Sequence, residues 1–393
     1  MHARAEALQA TLAASRGQAT KLPRSRKVDG RFVIDPELFP DYVDHLKGGF
    51  SVIMKWRRSM RGQTAPLPPP DELEKLLPVS KPSKALLTSP PAELCQATWL
   101  GHASVLTQWE GWTVLADPIF SERCSPLQCA GPRRVRPSPV QTDDLPRVDA
   151  IIISHSHYDH LDTNTVRALA KSQPTALFFV PLGMKKWFRS NCPAAACVEF
   201  DWGDVLQLED EAAGGAAPRP PLQLVCVPCQ HWCKRTLNDT NTVLWCSWIV
   251  RTDRLSYYFG GDTGYCGQMF RTAGEAYGPI DLCAIPIGAE GAPAERWFHK
   301  PNHMDPAEAV ACHIDLCSRQ SIGIHWGTFP LTGEHIMDPP KKLAEALTRC
   351  ALPADSFLAM AHGEVRSFDL LRAHECDGRV NGPSRGDAEA LSG

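Results

Sequence analysis

His155, His157, Asp159 and His160 fall within six consecutive residues, just after the apolar run Ala150–Ile153. No other feature limits the folds open to this chain as strongly. A short continuous run of Ala and Ile is what a strand buried on both faces requires. Four ionisable side chains at the end of such a strand are hard to account for as packing, because each buried imidazole would need its own partner. In an extended segment, positions two apart face the same way, so His155 and His157 can grip one cation. The turn that follows presents Asp159 and His160 to a second.

The composition is that of a folded protein. With 393 residues, 43% hydrophobic and 22% charged, the chain is long enough for one large or two ordinary domains with a sizeable core. Lys plus Arg number 41 against 44 Asp plus Glu, a net charge of -3, which counts against nucleic acid as a partner. Apolar runs such as Ala176–Leu182 are far short of the roughly 20 residues a membrane helix needs. Met1–Gly30 has no apolar stretch of the kind a secretory signal carries. A soluble or peripheral, intracellular protein is expected. The 15 Cys are odd in number and scattered, which reads as reduced, packed thiols. Cys226, Cys229 and Cys233 around His231 suggest a zinc knuckle, but no second pair at comparable spacing completes one.

Three regions are expected. Residues 1–90 form an arm whose first part, Met1–Gly30, is basic and poor in acids. It reads as a disordered tail, with organelle targeting as the alternative. In the arm, Gly48–Arg61 sets Phe50, Val52, Ile53, Met54 and Trp56 among Lys55, Arg57, Arg58 and Arg61. That mix suits either a membrane interface with anionic lipid or a segment packed on the main domain. Pro66–Pro70 and Pro78–Pro91 are expected to run extended as a linker. Residues 91–373 carry strands with interspersed helices, including a helix over Asp305–Cys317 capped by Asp305 with Glu308 three residues on. Ala212–Pro221 reads as an exposed insertion and 374–393 as a disordered tail.

The H-x-H-x-D-H run after a strand resembles the signature of the metallo-β-lactamase superfamily. That resemblance implies an α/β fold, the αββα sandwich with a dinuclear metal site at one edge. Its remaining pattern falls in order on His231 after Leu222–Val227, Asp262 after the strand ending at Phe259, and His325 after Ser321–Ile324. Longer strings narrow the likeness. Trp99–Ser104, Asp117–Ser121, Gln230–Leu237, Gly261–Cys266, His325–Phe329 and His362–Glu364 look like the N-acyl-phosphatidylethanolamine-hydrolysing phospholipases D. The sequence departs from that group in the arm and at Glu290–Ala294, an apparent insertion beside the site.

The resemblance implies two Zn2+ ions, one held by His155, His157 and His231, the other by Asp159, His160 and His325, with Asp262 bridging. The same ligands could take iron or manganese. It implies phosphodiester hydrolysis that releases an N-acylethanolamine and leaves phosphatidic acid. Asp159, as a ligand, and His303, as a proton donor or phosphate contact, are the residues expected to carry catalysis. His102 and His362 are expected to hydrogen-bond the ligands. Arg133 and Arg134, with Arg136 beside them, and Lys185 and Trp187 are candidate substrate contacts; Phe178 and Phe179 read as core. The expected partner is a phospholipid at the cytosolic face of a membrane, and a homodimer stays open. Two alternatives remain: a lactonase or nucleic-acid phosphodiesterase on the same scaffold, and a lipid-binding protein with a retired site. The latter predicts missing ligands, and all seven are present.

Overall fold

The computed structural model describes residues 1–16, 19–44, 49–59, 64–210 and 218–370. The arm holds α1 (His2–Ser15), the hairpin β1 (Arg26–Val28) and β2 (Arg31–Val33), α2 (Gly49–Ser59), α3 (Pro70–Leu76) and α4 (Lys84–Thr88). The next stretch runs β3 (Cys95–Gly101), β4 (Ser104–Trp109), β5 (Trp112–Ala116), β6 (Ala150–Ile152), α5 (Thr163–Ser172), β7 (Leu177–Pro181), α6 (Lys185–Asn191) and β8 (Cys197–Phe200). It continues through β9 (Val205–Leu208), β10 (Leu222–Val227), β11 (Ser247–Arg251), β12 (Ser256–Phe259), α7 (Gly267–Tyr277) and β13 (Ile280–Pro286). After α8 (Arg296–His299) and α9 (Pro306–Asp315) come β14 (Ser318–Ile324), α10 (Asp338–Arg349), β15 (Phe357–Leu358) and β16 (Val365–Phe368).

These strands make two seven-stranded sheets, ordered β16-β3-β4-β5-β6-β7-β8 and β15-β14-β13-β12-β11-β10-β9. Side chains alternate across each strand, and the first sheet uses both faces. Val105, Val114, Ile152 and Phe179 join the core shared with the second sheet. Leu106, Leu115, Ile151 and Phe178 join a separate cluster with Val166 and Leu169 of α5 and Phe188 of α6. The apolar run Ala150–Ile153 is thus buried on both sides, and Phe178 and Phe179 are core. This is the sandwich expected of the fold class, helices outside and sheets within. Helix α9 starts at its N-cap Asp305, whose side chain accepts from Glu308 N–H while Glu308 returns the bond.

The arm differs from the expectation of a disordered tail and an extended linker. Helix α1 buries Ala5 and Leu12. Gln9 trades two bonds with the backbone of Glu199, giving to its carbonyl at 3.0 Å and accepting its N–H at 2.8 Å. The side chain thereby covers the free edge of β8. Arg16 and Arg24 both pair with the buried Asp204, so charges that look solvated in sequence are partnered in the fold. In the proline-rich part, prolines flank helices: α3 starts on Pro70, and α4 lies between Pro82 and Pro90 with Ser83 capping Leu86 N–H at 3.2 Å. Most of Ala212–Pro221 and all of 374–393 lie outside the described residues. Among those described, no helix is long and apolar enough to cross a membrane.

Candidate metal centre

Strand direction gathers the site. β5 and β6 are parallel, as are β12, β13 and β14. β3 and β10 share their neighbours' direction through two antiparallel steps. The carboxyl ends of all these strands therefore open on one edge of the sandwich, where crevices in such folds form. His102 follows β3, Asp117 follows β5, His155–His160 follow β6, His231 follows β10, Asp262 follows β12 and His325 follows β14.

Two groups of ligand atoms meet there, each with all its atoms within 4.8 Å of one another: His155, His157, His231 and Asp262, then His102, Asp159, His160 and His325. In the first, His157 Nδ1 lies 2.8 Å from His155 Nε2 and 3.3 Å from His231 Nε2. Asp262 Oδ2 stands 3.7 Å from both His155 and His231 and 3.1 Å from His160 Nε2, while its Oδ1 stands 3.1 Å from His325 Nε2. Asp159 Oδ2 lies 3.4 Å from both His160 and His325. Asp262 faces both groups: Oδ2 stands between His155 and His231 of the first and His160 of the second, and Oδ1 faces His325. No Cys belongs to any such group among the described residues, and Cys226, Cys229, Cys233 and Cys246 are buried free thiols.

Three of the outer ring nitrogens are held by protein, whereas His157 Nε2 and His325 Nδ1 have no hydrogen-bond partner. Ser154 Oγ is 2.9 Å from His155 Nδ1, Asp117 Oδ2 is 2.6 Å from His160 Nδ1, and the Asn302 carbonyl is 3.2 Å from His231 Nδ1. The inner atoms are not: His160 Nε2, His325 Nε2 and Asp262 Oδ1 are buried without a hydrogen-bond partner. Buried polar atoms rarely stay unpaired, and oriented imidazoles with free inward nitrogens are the arrangement a metal ligand needs. The backbone is strained to achieve it. His102, Asp117 and His325 adopt positive φ of 51°, 35° and 63°, a costly state for non-glycine residues. Gly261, beside Asp262, has φ +57°, and a Cβ there would sit 2.5 Å from the Ser154 side chain.

Electrostatics divide the ligand rings: those of the first group are lowered, while the carboxylates raise His160 and His325. Burial first, then neighbouring imidazoles, lowers His155 well below its ordinary range. Burial pulls His157 down to about 4 and His231 to about 3. Neutral imidazoles are what metal binding demands. Burial also works against charge on His325, but Asp262 and Asp159 outweigh it and push that ring up to about 9. Burial would raise Asp159 and Asp262, yet His160 and the other rings hold both carboxyls well below their usual range. The carboxylates therefore stay ionised amid imidazoles.

Residues 112–326 match the model of the Beta-lactamase superfamily domain. The chain belongs to the beta-lactamase superfamily. Within that superfamily it is 41% identical over 275 residues to N-acyl-phosphatidylethanolamine-hydrolyzing phospholipase D 1 of Caenorhabditis elegans, covering 68% of this chain and 74% of that one. It is 34% identical over 275 residues to the mitochondrial enzyme of that activity from Saccharomyces cerevisiae, covering 69% of this chain but only 56% of the yeast protein. Among solved structures, a metallo hydrolase from Ignicoccus hospitalis superposes with a TM-score of 0.51 at 19% identity, over 70% of this chain and 98% of that one. That likeness shows the fold. The chain is a metal-dependent hydrolase of the beta-lactamase superfamily.

Around this superfamily centre the other nominated residues divide. His303 is close: its ring centroid lies 5.3 Å from His231 and 5.4 Å from His325, and it forms a third group with Asp262 and His325. His102 holds Asp159 Oδ2 at 2.9 Å. His362 touches no ligand, contrary to expectation. It bonds Thr328 Oγ1 at 3.0 Å, and that oxygen takes the His102 N–H at 2.6 Å. The His362 ring packs tilted against Trp99, with centroids 4.5 Å apart.

None of the four substrate-contact candidates belongs to the metal-holding groups. Arg133 is exposed and pairs with Glu122 at 3.1 Å. Arg134 is buried and donates to the carbonyls of Ser121 and Ile119. Lys185 borders a cavity under α1 with His2, Ala5 and Glu6. Trp187 packs against Phe188 and Arg235. A loop's charges and rings are legible in sequence, but the side they face is not. The insertion is anchored by Glu334, which accepts from Ala289 and Gly291 N–H at 2.8 Å each.

Sequence reasoning gave no role to Asp117, Ser154 or Asn302. Asp117 carried a signal, a carboxylate at a strand end within a recognised string. Asn302 acts through its carbonyl and carried none. A cavity of about 360 Å³ reaches the centre at His325 and is walled by Trp326, Phe329, Pro330, Leu331 and Ile336, with Ala65 and Leu67 of the arm. A larger one, about 540 Å³, lies under the arm and contains none of the metal-holding residues.

Proposed function

We propose that this chain is a zinc-dependent phosphodiesterase of the phospholipase D type. It would hydrolyse N-acyl-phosphatidylethanolamine to an N-acylethanolamine and phosphatidic acid. The observation that carries this reading is Asp262 facing both ligand groups beside an apolar cavity that His325 lines. The activity that names the nematode and yeast relatives supports the substrate. The donor set fits the metal: buried imidazole nitrogens and carboxylate oxygens with unpaired inner atoms.

His155, His157 and His231 would hold one ion and Asp159, His160 and His325 the other, with Asp262 shared. Zinc bound there would polarise the phosphoryl oxygens and bring the pKa of water toward about 7. Overall, a water oxygen bonds to phosphorus, the bond from phosphorus to the ethanolamine oxygen breaks, and a proton from water ends on that oxygen. His303 is assigned the proton transfer, because it groups with Asp262 and His325 and, unlike His102, its ring is not hydrogen-bonded to a ligand. Burial lowers its ring well below the ordinary range, so a proton it carries is readily given up to the leaving oxygen. His102 fixes Asp159 through Oδ2. Leu67, Trp326, Phe329 and Leu331 would take an acyl chain.

Helix α2 supports peripheral contact with an anionic membrane, at the cytosolic face. Met54 is 43% exposed, and Lys55, Arg57 and Arg58 are exposed around it. Phe50 and Ile53 lie beyond the described side chains.

The test is to incubate zinc-loaded protein with vesicles containing N-acyl-phosphatidylethanolamine and weigh the products. N-Acylethanolamine and phosphatidic acid are expected, and Asp159→Asn and His325→Ala should abolish turnover while leaving the circular dichroism unchanged. Free fatty acid as the product, or turnover of a soluble lactone alone, overturns the reading.

A further inference from the structure

We propose that Arg235 is a positioning residue that sets the spacing of the two ions, stapling the His231 loop to the His155–His160 loop. One nitrogen does most of this. Arg235 Nη1 donates to the carbonyls of Ser156 and Leu161 at 2.8 Å each, with a longer contact to that of His157 at 3.4 Å. Ser156 precedes His157 and Leu161 follows His160, so the two short bonds bracket the turn that bears His157, Asp159 and His160. Arg235 itself lies four residues after His231. A single side chain therefore ties ligands of the first ion to ligands of the second.

The contact is reciprocal. Tyr158, inside the bracketed turn, donates its hydroxyl to the Arg235 carbonyl at 2.9 Å, and the guanidinium lies 4.0 Å over its ring. Trp187 of α6 approaches from another side at 5.3 Å. Asp239 accepts the Arg235 backbone N–H at 3.0 Å, which holds the base of the side chain. Among the described residues, Arg235 makes no salt bridge.

Chemistry explains why an arginine stands there. A half-buried cation without a carboxylate partner is costly, and the compensation here comes from converging carbonyls of the ligand turn. A guanidinium presents its donors in a rigid fork, whereas a lysine is a point charge on a flexible stem. Two ions that share a water must sit about 3.5–4 Å apart, and small errors in such geometry are expensive. Besides Arg235 and Tyr158, the Ser156 N–H joins the same loops through a 3.4 Å bond to Cys233 Sγ. The Arg235 bracket fixes them at the turn itself.

The inference rests on the two-ion reading, and metal titration separates the two. Metal-stripped wild type, Arg235→Lys, Arg235→Ala and Tyr158→Phe are titrated with Co2+, following the visible absorption and the stoichiometry at equilibrium. Wild type should take two equivalents. Arg235→Lys should keep its circular dichroism, bind the second equivalent about 10–100-fold more weakly and show an altered cobalt spectrum, with Tyr158→Phe intermediate. Wild-type affinity and spectrum in Arg235→Lys overturn the role of Arg235. Equal weakening of both ions with loss of the circular dichroism also overturns it, in favour of general folding. One equivalent in wild type overturns the two-ion reading instead. Should Arg235→Ala not fold, the Lys and Phe variants decide.

Discussion

The indole N–H of Trp56 donates to Glu295 Oε2 at 3.0 Å, joining α2 to the turn that carries His303. Glu295 is fully buried and accepts three further bonds, from Ala292 N–H at 2.9 Å, Gly333 N–H at 2.5 Å and His299 Nε2 at 3.3 Å. The His299 carbonyl accepts the N–H groups of Asn302 and His303, and the Asn302 carbonyl faces His231. The helix proposed to touch the membrane is thus a short chain of bonds from the centre.

Trp56→Phe keeps an aromatic ring against Phe298, which it stacks at 5.5 Å, and deletes the donor. Losing a hydrogen bond to a charged acceptor costs about 1.5–3 kcal/mol. That should loosen α2, so hydrolysis of vesicle substrate is expected to fall about tenfold further than hydrolysis of detergent-solubilised substrate. Equal losses in the two assays would mean that α2 serves the fold rather than the membrane.

Glu295 should also shape acid stability. Burial alone would raise its carboxyl, but His299 and the N–H groups of Ala292 and Gly333 outweigh that and hold it at about 2, against an ordinary 4.5. A depressed carboxyl stabilises the folded state above its unfolded pKa and loses that contribution as pH falls through the folded one. In metal-stripped protein, wild type should therefore lose stability between pH 4.5 and about 2. Glu295→Gln should flatten that limb in denaturant melts at stepped pH. Identical limbs would remove Glu295 from the account.

Asp117→Asn tests the support behind His160. The carboxylate bonds His160 Nδ1 at 2.6 Å and also takes Ser154 N–H at 2.7 Å. A neutral amide should orient the ring less firmly, and metal affinity measured by chelator competition should drop about 10–100-fold. Unchanged affinity would show that the strand ends alone aim His160.

His303→Ala should lower kcat about 10²–10⁴-fold while metal content stays at the wild-type level. The loss should shrink for a phosphodiester with a nitrophenol leaving group, which needs no proton. Loss of metal in this variant would make His303 a ligand rather than a proton carrier.

The ligand residues were legible because each ends a strand that the sequence marks with an apolar run, as Ala150–Ile153 marks His155. The α9 cap was legible for the same local reason, since Asp305 and Glu308 find each other within one turn. The arm was misread because its partners are remote. Asp204, which neutralises Arg16 and Arg24, lies nearly two hundred residues away, and composition records charge without recording who faces it. Arg134 looked like a phosphate contact and proved to be a buried donor to Ser121 and Ile119 carbonyls.

Local order along the chain determined which side chains can bind metal and which strands deliver them, because periodicity and turn chemistry act over a few residues. Only the tertiary structure decided that Asp262 stands between the two groups, that Asp117 and Asn302 aim the rings, and that Arg235 and Glu295 tie separate loops together. Those choices depend on through-space distances of a few ångströms between segments far apart in sequence. Burial and hydrogen bonding act across such distances, and residue spacing does not encode them.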